Sequence, residues 1–217
     1  DGASYEFNVM PFGLTRAPGT FQKLMNEVLR GQIHHFVKVY LDDIVIYSRT
    51  QEEHVQHLRR VLERLRQHGL CASPDKCMFA ATEITYLGHV ITQEHNMPQE
   101  KHLENIKQYA VPRNVKDLRK FLGTAGWLRE YVPYFATKAA PLTDLLDSKK
   151  KFKWTAVEQS AFEELKEALA QHEPLHRPQG GLRYCLQTDA SAVGMAAVLF
   201  QTTKDGQRRL ISCASAK

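Results

Sequence analysis

FVKVYLDDIVIY, residues 36–47, contains two runs of β-branched and aromatic side chains around one short polar break. This pattern predicts a β-hairpin. Two adjacent acids, Asp42 and Asp43, occupy the break. Neighbouring carboxylates on a tight turn repel one another and lose solvation, so a protein keeps them where they hold a cation or where the turn is open to water. The residues of this stretch leave both alternatives open.

Helices are predicted on both sides of the hairpin. Apolar residues at helical spacing precede it and stop before Gly31, and a second apolar stripe covers residues 51–68 and stops before Gly69. Glycine often follows the last turn of a helix, which supports both ends. Near the start of the chain, residues 5–10 alternate between polar and apolar side chains and predict a short strand.

The centre of the chain is predicted to be mostly helical. Residues 84–91 predict a strand with Gly88 inside it, and a glycine there is typical of a bulge or of a close backbone approach. Residues 99–147 then carry helical patterns that Pro133 and Pro141 are expected to interrupt.

The last part of the chain is predicted to return to strands. A capping box of Thr155 and Glu158 begins one more helix. Residues 182–189, 194–202 and 208–213 then predict a three-stranded meander. The order of β-rich, helical and β-rich segments predicts an α+β fold.

Composition narrows the class of protein. The chain has 217 residues, of which 43% are hydrophobic and 24% charged, as in ordinary globular proteins. No apolar run is long enough to span a membrane, no secretory signal is recognisable, and four cysteines without CxxC spacing favour reduced thiols. We therefore expect an intracellular, cytoplasmic protein, with the nucleus as the alternative. A formal net charge of +5 permits a polyanionic partner without establishing one.

Several polar residues outside the hairpin are weaker candidates for a site. Asp189 ends a predicted strand and is either a turn-initiating residue or a site acid. His54 and His57 lie three residues apart on the second helix, where the lack of a third ligand favours a solvent-facing pair over a metal site. The arginine-rich side of the same helix either tracks phosphates or lies against water.

Taken together, the motifs follow one another in a characteristic order. They are VMPFGLTRAPGTFQ at 9–22, VYLDDI at 39–44, KCMF at 76–79, YLGH at 86–89, LRKFLG at 118–123, FKW at 152–154 and TDAS at 188–191. This ordered combination resembles the reverse transcriptases of gypsy-type long-terminal-repeat retrotransposons, over essentially every residue from Tyr5 to Ser212.

The resemblance implies roles for individual residues. Asp42 and Asp43 match the metal-binding acids of the polymerase palm, which hold Mg²⁺. The residues that match the nucleotide pocket and the template side are Phe12 and Gly13 for the incoming dNTP and Gln22 for the template. The residues that match the primer grip are Leu87, Gly88 and His89. Asp189 matches the first metal-binding carboxylate of a ribonuclease H site.

The resemblance also implies a domain order and a reaction. Residues 1–95 would form a partial palm, 96–147 a helical thumb that holds the duplex, 148–181 a connecting segment, and 182–217 a truncated set of ribonuclease H strands. The parent enzyme would transfer a nucleotidyl group from a dNTP to a primer on an RNA or DNA template, with Mg²⁺ as cofactor.

The chain departs from the family pattern at both ends. The family has a further metal-binding Asp upstream of the Tyr5 region, and its remaining ribonuclease H acids would follow Lys217. Because the chain begins with Asp1 rather than Met, we expect a fragment, a processed product or a tag scar. We expect both active sites to be incomplete, with no processive DNA synthesis and no RNA cleavage by this chain alone.

A second interpretation stays open beside the enzyme fragment. Unpaired strand edges at the hairpin and an uncovered meander would tend to find partners, so we expect homo-oligomers. The alternative to a polymerase fragment is therefore a non-catalytic descendant, domesticated or truncated, that binds nucleic acid or associates with itself.

Overall fold

The computed structural model describes residues 2, 4–11, 13–149, 151–192 and 194–217. The chain divides into two compact units, residues 1–80 and residues 81–217. The mixture of helices and strands confirms the predicted α+β class. Among the described residues, no helix has both the length and the apolar character needed to cross a membrane.

The first unit contains the predicted hairpin between two helices. Its elements are α1 (Ala17–Val28), β1 (Val37–Tyr40), β2 (Asp43–Ile46), α2 (Gln51–Gln67) and a 3₁₀ turn at Pro74–Lys76. β1 and β2 pair antiparallel, with Val37 opposite Ile46 and Tyr40 opposite Asp43. The Thr50 side chain caps α2 by accepting a hydrogen bond from the Glu53 backbone N–H at 3.2 Å.

The core of the first unit lies between the hairpin and the two helices. Its buried side chains are Met25, Val28, Leu29, Phe36, Val37, Val61 and Leu65. The short strand predicted at residues 5–10 is not formed. An extended segment becomes a strand only when it pairs, and Tyr5 and Phe7 are 93% and 76% exposed with no pairing partner among the described residues.

In its described residues, the second unit combines four helices with two sheets. Its elements are β3 (Glu83–Tyr86), β4 (His89–Thr92), β5 (His95–Pro98), α3 (Glu100–Lys107), α4 (Val115–Trp127), a 3₁₀ turn (Arg129–Tyr131), α5 (Phe135–Asp144), α6 (Ala156–Ala170), β6 (Leu175–His176), β7 (Arg183–Ala190), β8 (Met195–Thr202) and β9 (Arg208–Ala216). The strands β3, β4, β5 and β6 form one sheet in that order, and β7, β8 and β9 form the predicted meander.

One core joins the helices to the meander. Leu118, Phe121 and Phe162 from the helices are fully buried together with Val198 and Leu210 from the strands. The sequence predicted an uncovered meander, and this is wrong for its inner face, which packs against the helical core. Its outer face stays exposed and carries three apolar side chains, Tyr184, Leu186 and Met195.

Two local predictions for this unit were wrong. Gly88 lies in the turn between β3 and β4 rather than inside one strand, because Leu87 and Gly88 both have positive φ and reverse the chain. Pro141 does not interrupt α5, which continues from Phe135 to Asp144. Ala140 and Leu142 on either side are buried in the core, and this packing offsets the hydrogen bond that proline cannot donate.

Candidate functional site

The tip of the first hairpin presents the two adjacent acids, as predicted. Tyr40 pairs with Asp43, so Leu41 and Asp42 form a two-residue turn between β1 and β2. Both carboxylate side chains are exposed. Within the part of the chain that the structure describes, neither acid forms an ion pair. The turn therefore offers carboxylate oxygens to solvent with no protein cation to neutralise them.

The Gln22 side chain of α1 holds this turn. Its Oε1 atom accepts a hydrogen bond from the Leu41 backbone N–H at 2.7 Å, and its Nε2 atom donates to the Val39 carbonyl at 3.3 Å. Leu41 has a φ of 49°. A bulky residue in this left-handed region costs about 1–2 kcal/mol, so the turn needs contacts that hold it there.

The residues predicted to contact a nucleotide lie before α1. Gly13 is exposed and has a φ of 92°, a conformation that side chains other than glycine rarely adopt. Phe12 lies outside the described residues. Gln22 is half-buried, and its amide group bonds to the hairpin and to the Asn26 side chain. Its predicted template-side role stays a prediction.

A second tight turn contains the predicted primer-grip residues. Leu87 and Gly88 have φ values of 49° and 81°, the signs expected for a type I′ turn between two paired strands. A Cβ on Gly88 would lie 2.7 Å from Cη2 of Trp127 and 3.0 Å from Nε2 of His102. The backbone of this turn is therefore pressed directly against the Trp127 indole at the end of α4.

His89 fixes the other side of this turn. Its Nδ1 atom lies 2.8 Å from the Tyr131 hydroxyl, and its ring centroid lies 4.5 Å from that of Trp127. Burial lowers the pKa of His89, an effect that Glu130 opposes and His102 reinforces. Burial also raises the pKa of Tyr131, so its hydroxyl stays protonated near neutral pH. A protonated Tyr131 hydroxyl can donate a hydrogen bond to Nδ1 of a neutral His89 imidazole.

Sequence reasoning did not find the aromatic partners of His89. Trp127 and Tyr131 are four residues apart at the end of α4 and in the 3₁₀ turn that follows. That spacing places both rings on one side of the chain, and it is the signal that could have identified them.

An open groove of about 910 Å³ brings His89 and Asp189 to one surface of the second unit. The end of α4 and the following turn line one side with Trp127 and Glu130, and the meander lines the other. Asp189 lies inside β7, opposite Ala196, and is exposed. It is paired within the strand and does not begin a turn, and its role as a site acid stays a prediction.

The histidine pair of α2 does not face solvent as expected. The Ser48 hydroxyl lies 3.2 Å from Nδ1 of His54 and 2.7 Å from Nδ1 of His57. His57 also stacks on Phe36 with ring centroids 3.8 Å apart. Both imidazoles are half-buried because α2 packs on the hairpin. No three His, Cys, Asp or Glu side chains of the described ranges are grouped so that they could hold a metal ion.

One arginine of the basic side of α2 also has a structural partner. Arg64 donates from Nε to the Val28 carbonyl at 2.8 Å and thereby ties α2 to the end of α1. This bond leaves Arg59, Arg60 and Arg66 as the exposed cations of that face.

Two segments of the chain match known protein families. Residues 2–91 match the reverse transcriptase (RNA-dependent DNA polymerase) family. Residues 154–217 match the RNase H-like domain found in reverse transcriptase. The chain contains reverse transcriptase and RNase H-like domains. The Asp42–Asp43 hairpin falls in the first match and Asp189 in the second.

Curated relatives of these reverse transcriptase and RNase H-like domains include transposon polyproteins of fission yeast. The Tf2-3 polyprotein of Schizosaccharomyces pombe is 33% identical over 213 residues, which cover 98% of this chain and 16% of that polyprotein. The Tf2-7 polyprotein is 32% identical over the same length. The chain thus spans about one sixth of the relatives that it matches.

Solved structures similar to this chain include foamy viral protease-reverse transcriptases. One in complex with double-stranded DNA aligns with a TM-score of 0.74 and 26% identity, and covers 95% of this chain and 43% of that chain. One in complex with an RNA/DNA hybrid aligns with a TM-score of 0.71 and 27% identity. That alignment covers 95% of this chain and 28% of the foamy viral chain.

Proposed function

We propose that this chain carries the catalytic hairpin of a gypsy-type long-terminal-repeat retrotransposon reverse transcriptase, with Asp42 and Asp43 as Mg²⁺ ligands. One observation carries the proposal. Two exposed adjacent carboxylates lie at the tip of an antiparallel hairpin, inside the segment that matches reverse transcriptases, with no protein cation beside them in the described ranges. A solvated turn needs neither this charge density nor the Gln22 contacts that hold it.

The donor set fits a hard divalent cation. Carboxylate oxygens are the ligands that Mg²⁺ prefers, and Asp42 and Asp43 supply them from one rigid turn. A bound divalent ion would neutralise charge on the transferred phosphoryl group. The two acids would bind it from one side only, and no third His, Cys, Asp or Glu of the described chain groups with them. We therefore expect no primer extension by this chain alone.

A primer–template duplex is the proposed partner of the second unit. The tight Leu87–Gly88 turn and His89 would follow the primer, as in a primer grip, and α4 would act as a thumb helix. Exposed cations on α4, Lys116, Arg119 and Lys120, supply charge for phosphates. Asp189 lines the same groove as His89, which suits a duplex that reaches the RNase H-like strands.

The remaining assignments follow from the same proposal. Phe12 and Gly13 would contact the incoming dNTP, and Gln22 would lie on the template side. The proposed boundaries are a partial palm at 1–95, a thumb at 96–147, a connecting segment at 148–181 and RNase H-like strands at 182–217.

Self-association is proposed for the exposed edge of the meander. β7 is an edge strand in the described sheet, and its Tyr184 and Leu186 side chains are 54% and 65% exposed. An apolar edge of this kind pairs readily with a second copy. Light scattering at increasing protein concentration is expected to show a rising mean mass, and a constant monomer mass at high micromolar concentration would contradict it.

Metal binding tests the central proposal. Mn²⁺, a paramagnetic substitute for Mg²⁺, is expected to broaden the amide signals of residues 41–44 in NMR spectra of the whole chain. Asp42→Asn and Asp43→Asn are expected to abolish the broadening, whereas the exposed control Asp75→Asn leaves it unchanged. Equal broadening in all four proteins would contradict the proposal.

Duplex binding tests the partner. Affinity for a primer–template duplex is expected to fall steeply with salt and to depend on Mg²⁺ in the unmodified chain. Asp42→Asn is expected to lose the Mg²⁺ dependence and to keep the salt dependence. A duplex affinity that depends on neither Mg²⁺ nor salt would contradict the proposal that a primer–template duplex is the partner.

A further inference from the structure

The Gln22 amide makes every hydrogen bond that its donors allow within the first unit. Nε2 donates to Asn26 Oδ1 at 2.9 Å and to the Val39 carbonyl at 3.3 Å, while Oε1 accepts from the Leu41 N–H at 2.7 Å. A backbone N–H can only donate, so the atom beside Leu41 must be the amide oxygen. This contact fixes the orientation of the whole amide.

The two hairpin contacts lie just before the two acids, on the β1 side of the turn. Val39 and Leu41 belong to the strand and the turn that lead directly into Asp42. Gln22 thus joins α1 to the hairpin at the point where the chain reverses. The backbone hydrogen bonds of the hairpin do not include the Leu41 N–H. This N–H donates its hydrogen bond to Oε1 of Gln22 instead.

Leu41 needs this support because of its backbone conformation. Its φ of 49° lies in the left-handed region, which is unfavourable for a leucine. Without the side-chain acceptor, the turn would relax toward other conformations that leave its N–H to water. The direction of Asp42, which follows Leu41 immediately, would then no longer be fixed relative to Asp43 at the start of β2.

We propose that Gln22 is a positioning residue that holds the Leu41 turn, and through it the Asp42 and Asp43 carboxylates, in the conformation that binds the divalent ion. Gln22 touches neither the ion nor a substrate in this role. The inference deepens the proposed function and rests on it for the identity of the ligand.

The first measurement concerns the turn itself. Gln22→Met keeps the side-chain length and removes all three hydrogen bonds, so exchange of the Leu41 amide proton with deuterium is expected to accelerate at least about tenfold. Asn26→Ala is the matched control, because it removes only the outer partner of Nε2, and exchange at Leu41 is expected to stay unchanged.

The second measurement concerns the ion. Mn²⁺ binding, followed by line broadening at residues 42–44, is expected to weaken about five- to tenfold in Gln22→Met and to be unchanged in Asn26→Ala. Glycine adopts a φ of 49° without support, so Leu41→Gly in the Gln22→Met background is expected to restore most of the affinity. Unaltered Mn²⁺ affinity in Gln22→Met, or no recovery with Leu41→Gly, would overturn the inference.

Two controls separate failure of this inference from failure of the proposed function. Absence of Mn²⁺ binding in the unmodified chain overturns the proposed metal role. Exchange of the Leu41 amide proton still tests whether Gln22 holds the turn. If Gln22→Met does not give the dispersed spectrum of a folded protein, Gln22→Asn takes its place. Its amide is one methylene too short to reach the turn, and the same two results are expected.

Discussion

The Gly88 backbone lies against the Trp127 indole so closely that a Cβ at residue 88 would be 2.7 Å from Cη2 and 2.9 Å from Cζ2. The β3–β4 turn and the end of α4 therefore fit together only because residue 88 has no side chain. Gln99 adds a backbone bond from its N–H to the Gly88 carbonyl at 3.0 Å. The proposed primer grip and thumb helix share one rigid contact.

Gly88→Ala is expected to destabilise the second unit by about 2–4 kcal/mol, because the new methyl group meets an aromatic ring and alanine disfavours a positive φ. Urea unfolding followed by tryptophan fluorescence measures this, since both tryptophans, Trp127 and Trp154, lie in residues 81–217. Gly123→Ala is the control on the exposed side of α4, where a Cβ meets nothing within 4 Å, and is expected to be neutral or slightly stabilising. Equal stability of the two variants would contradict the close packing.

The free energy of unfolding of the second unit is expected to decrease as the pH falls below 6.5, at a higher pH than that at which the carboxylates are protonated. Burial lowers the pKa of His89, His172 and His176 below the ordinary value of 6.5. Above pH 6.5 the imidazoles are neutral in both folded and unfolded chains. As the pH falls below 6.5 the unfolded chain takes up protons first, so stability decreases until the folded histidines are protonated as well. Urea midpoints at pH 7.5 and pH 5.5 measure the loss.

His89→Asn is the variant that tests which histidine contributes to this pH dependence. It removes one titrating group and keeps a side chain that can bond to the Tyr131 hydroxyl. The difference in stability between pH 7.5 and pH 5.5 is expected to become smaller. An unchanged difference would assign the pH dependence to other groups.

Phe162→Ala is expected to cost about 3–5 kcal/mol. Its ring is fully buried and lies 4.6 Å from that of Phe121 and 5.8 Å from that of Trp154. Val157→Ala on the same helix is the control, because that side chain is 62% exposed and its loss is expected to change stability little. Comparable losses for the two variants would mean that α6 does not bury the face described above.

Gln201→Leu is expected to destabilise the meander by about 2–4 kcal/mol, although leucine has a similar size. The buried amide accepts from the Gln179 N–H and donates to the carbonyls of Gln179 and Leu182. Leucine would leave these three backbone groups without partners. Gln187→Leu is the control, since that exposed amide bonds only to the Tyr134 hydroxyl among the hydrogen bonds described. A Gln201→Leu protein as stable as Gln187→Leu would contradict this network.

Local signals were sufficient for much of the fold. The Asp42–Asp43 hairpin, the two helices that flank it, the capping box at Thr155 and the terminal meander were all predicted, because each has a repeating pattern with a recognisable end. The strand predicted at residues 5–10 failed because a strand depends on a pairing partner. Alternation alone does not provide one.

Features that depend on distant contacts were not predictable. β5 and β6 are short, and they form strands only because they pair with neighbouring strands, with His95 of β5 opposite His176 of β6. The hydrogen bonds of Gln22 are a further case, because its partners Val39 and Leu41 lie outside α1. The turn at Leu87 was missed since leucine at a positive φ carries no sequence signal.

The pairing of β5 with β6 has a consequence for recombination between genes that encode related proteins. β6 reaches β5 only after all four helices of the second unit, and Arg177 adds a further bond from its N–H to the Glu94 carbonyl at 2.8 Å. A recombination breakpoint anywhere between these strands would join edges that evolved apart. Folded chimaeras are therefore expected to inherit β5 and β6 from the same parent.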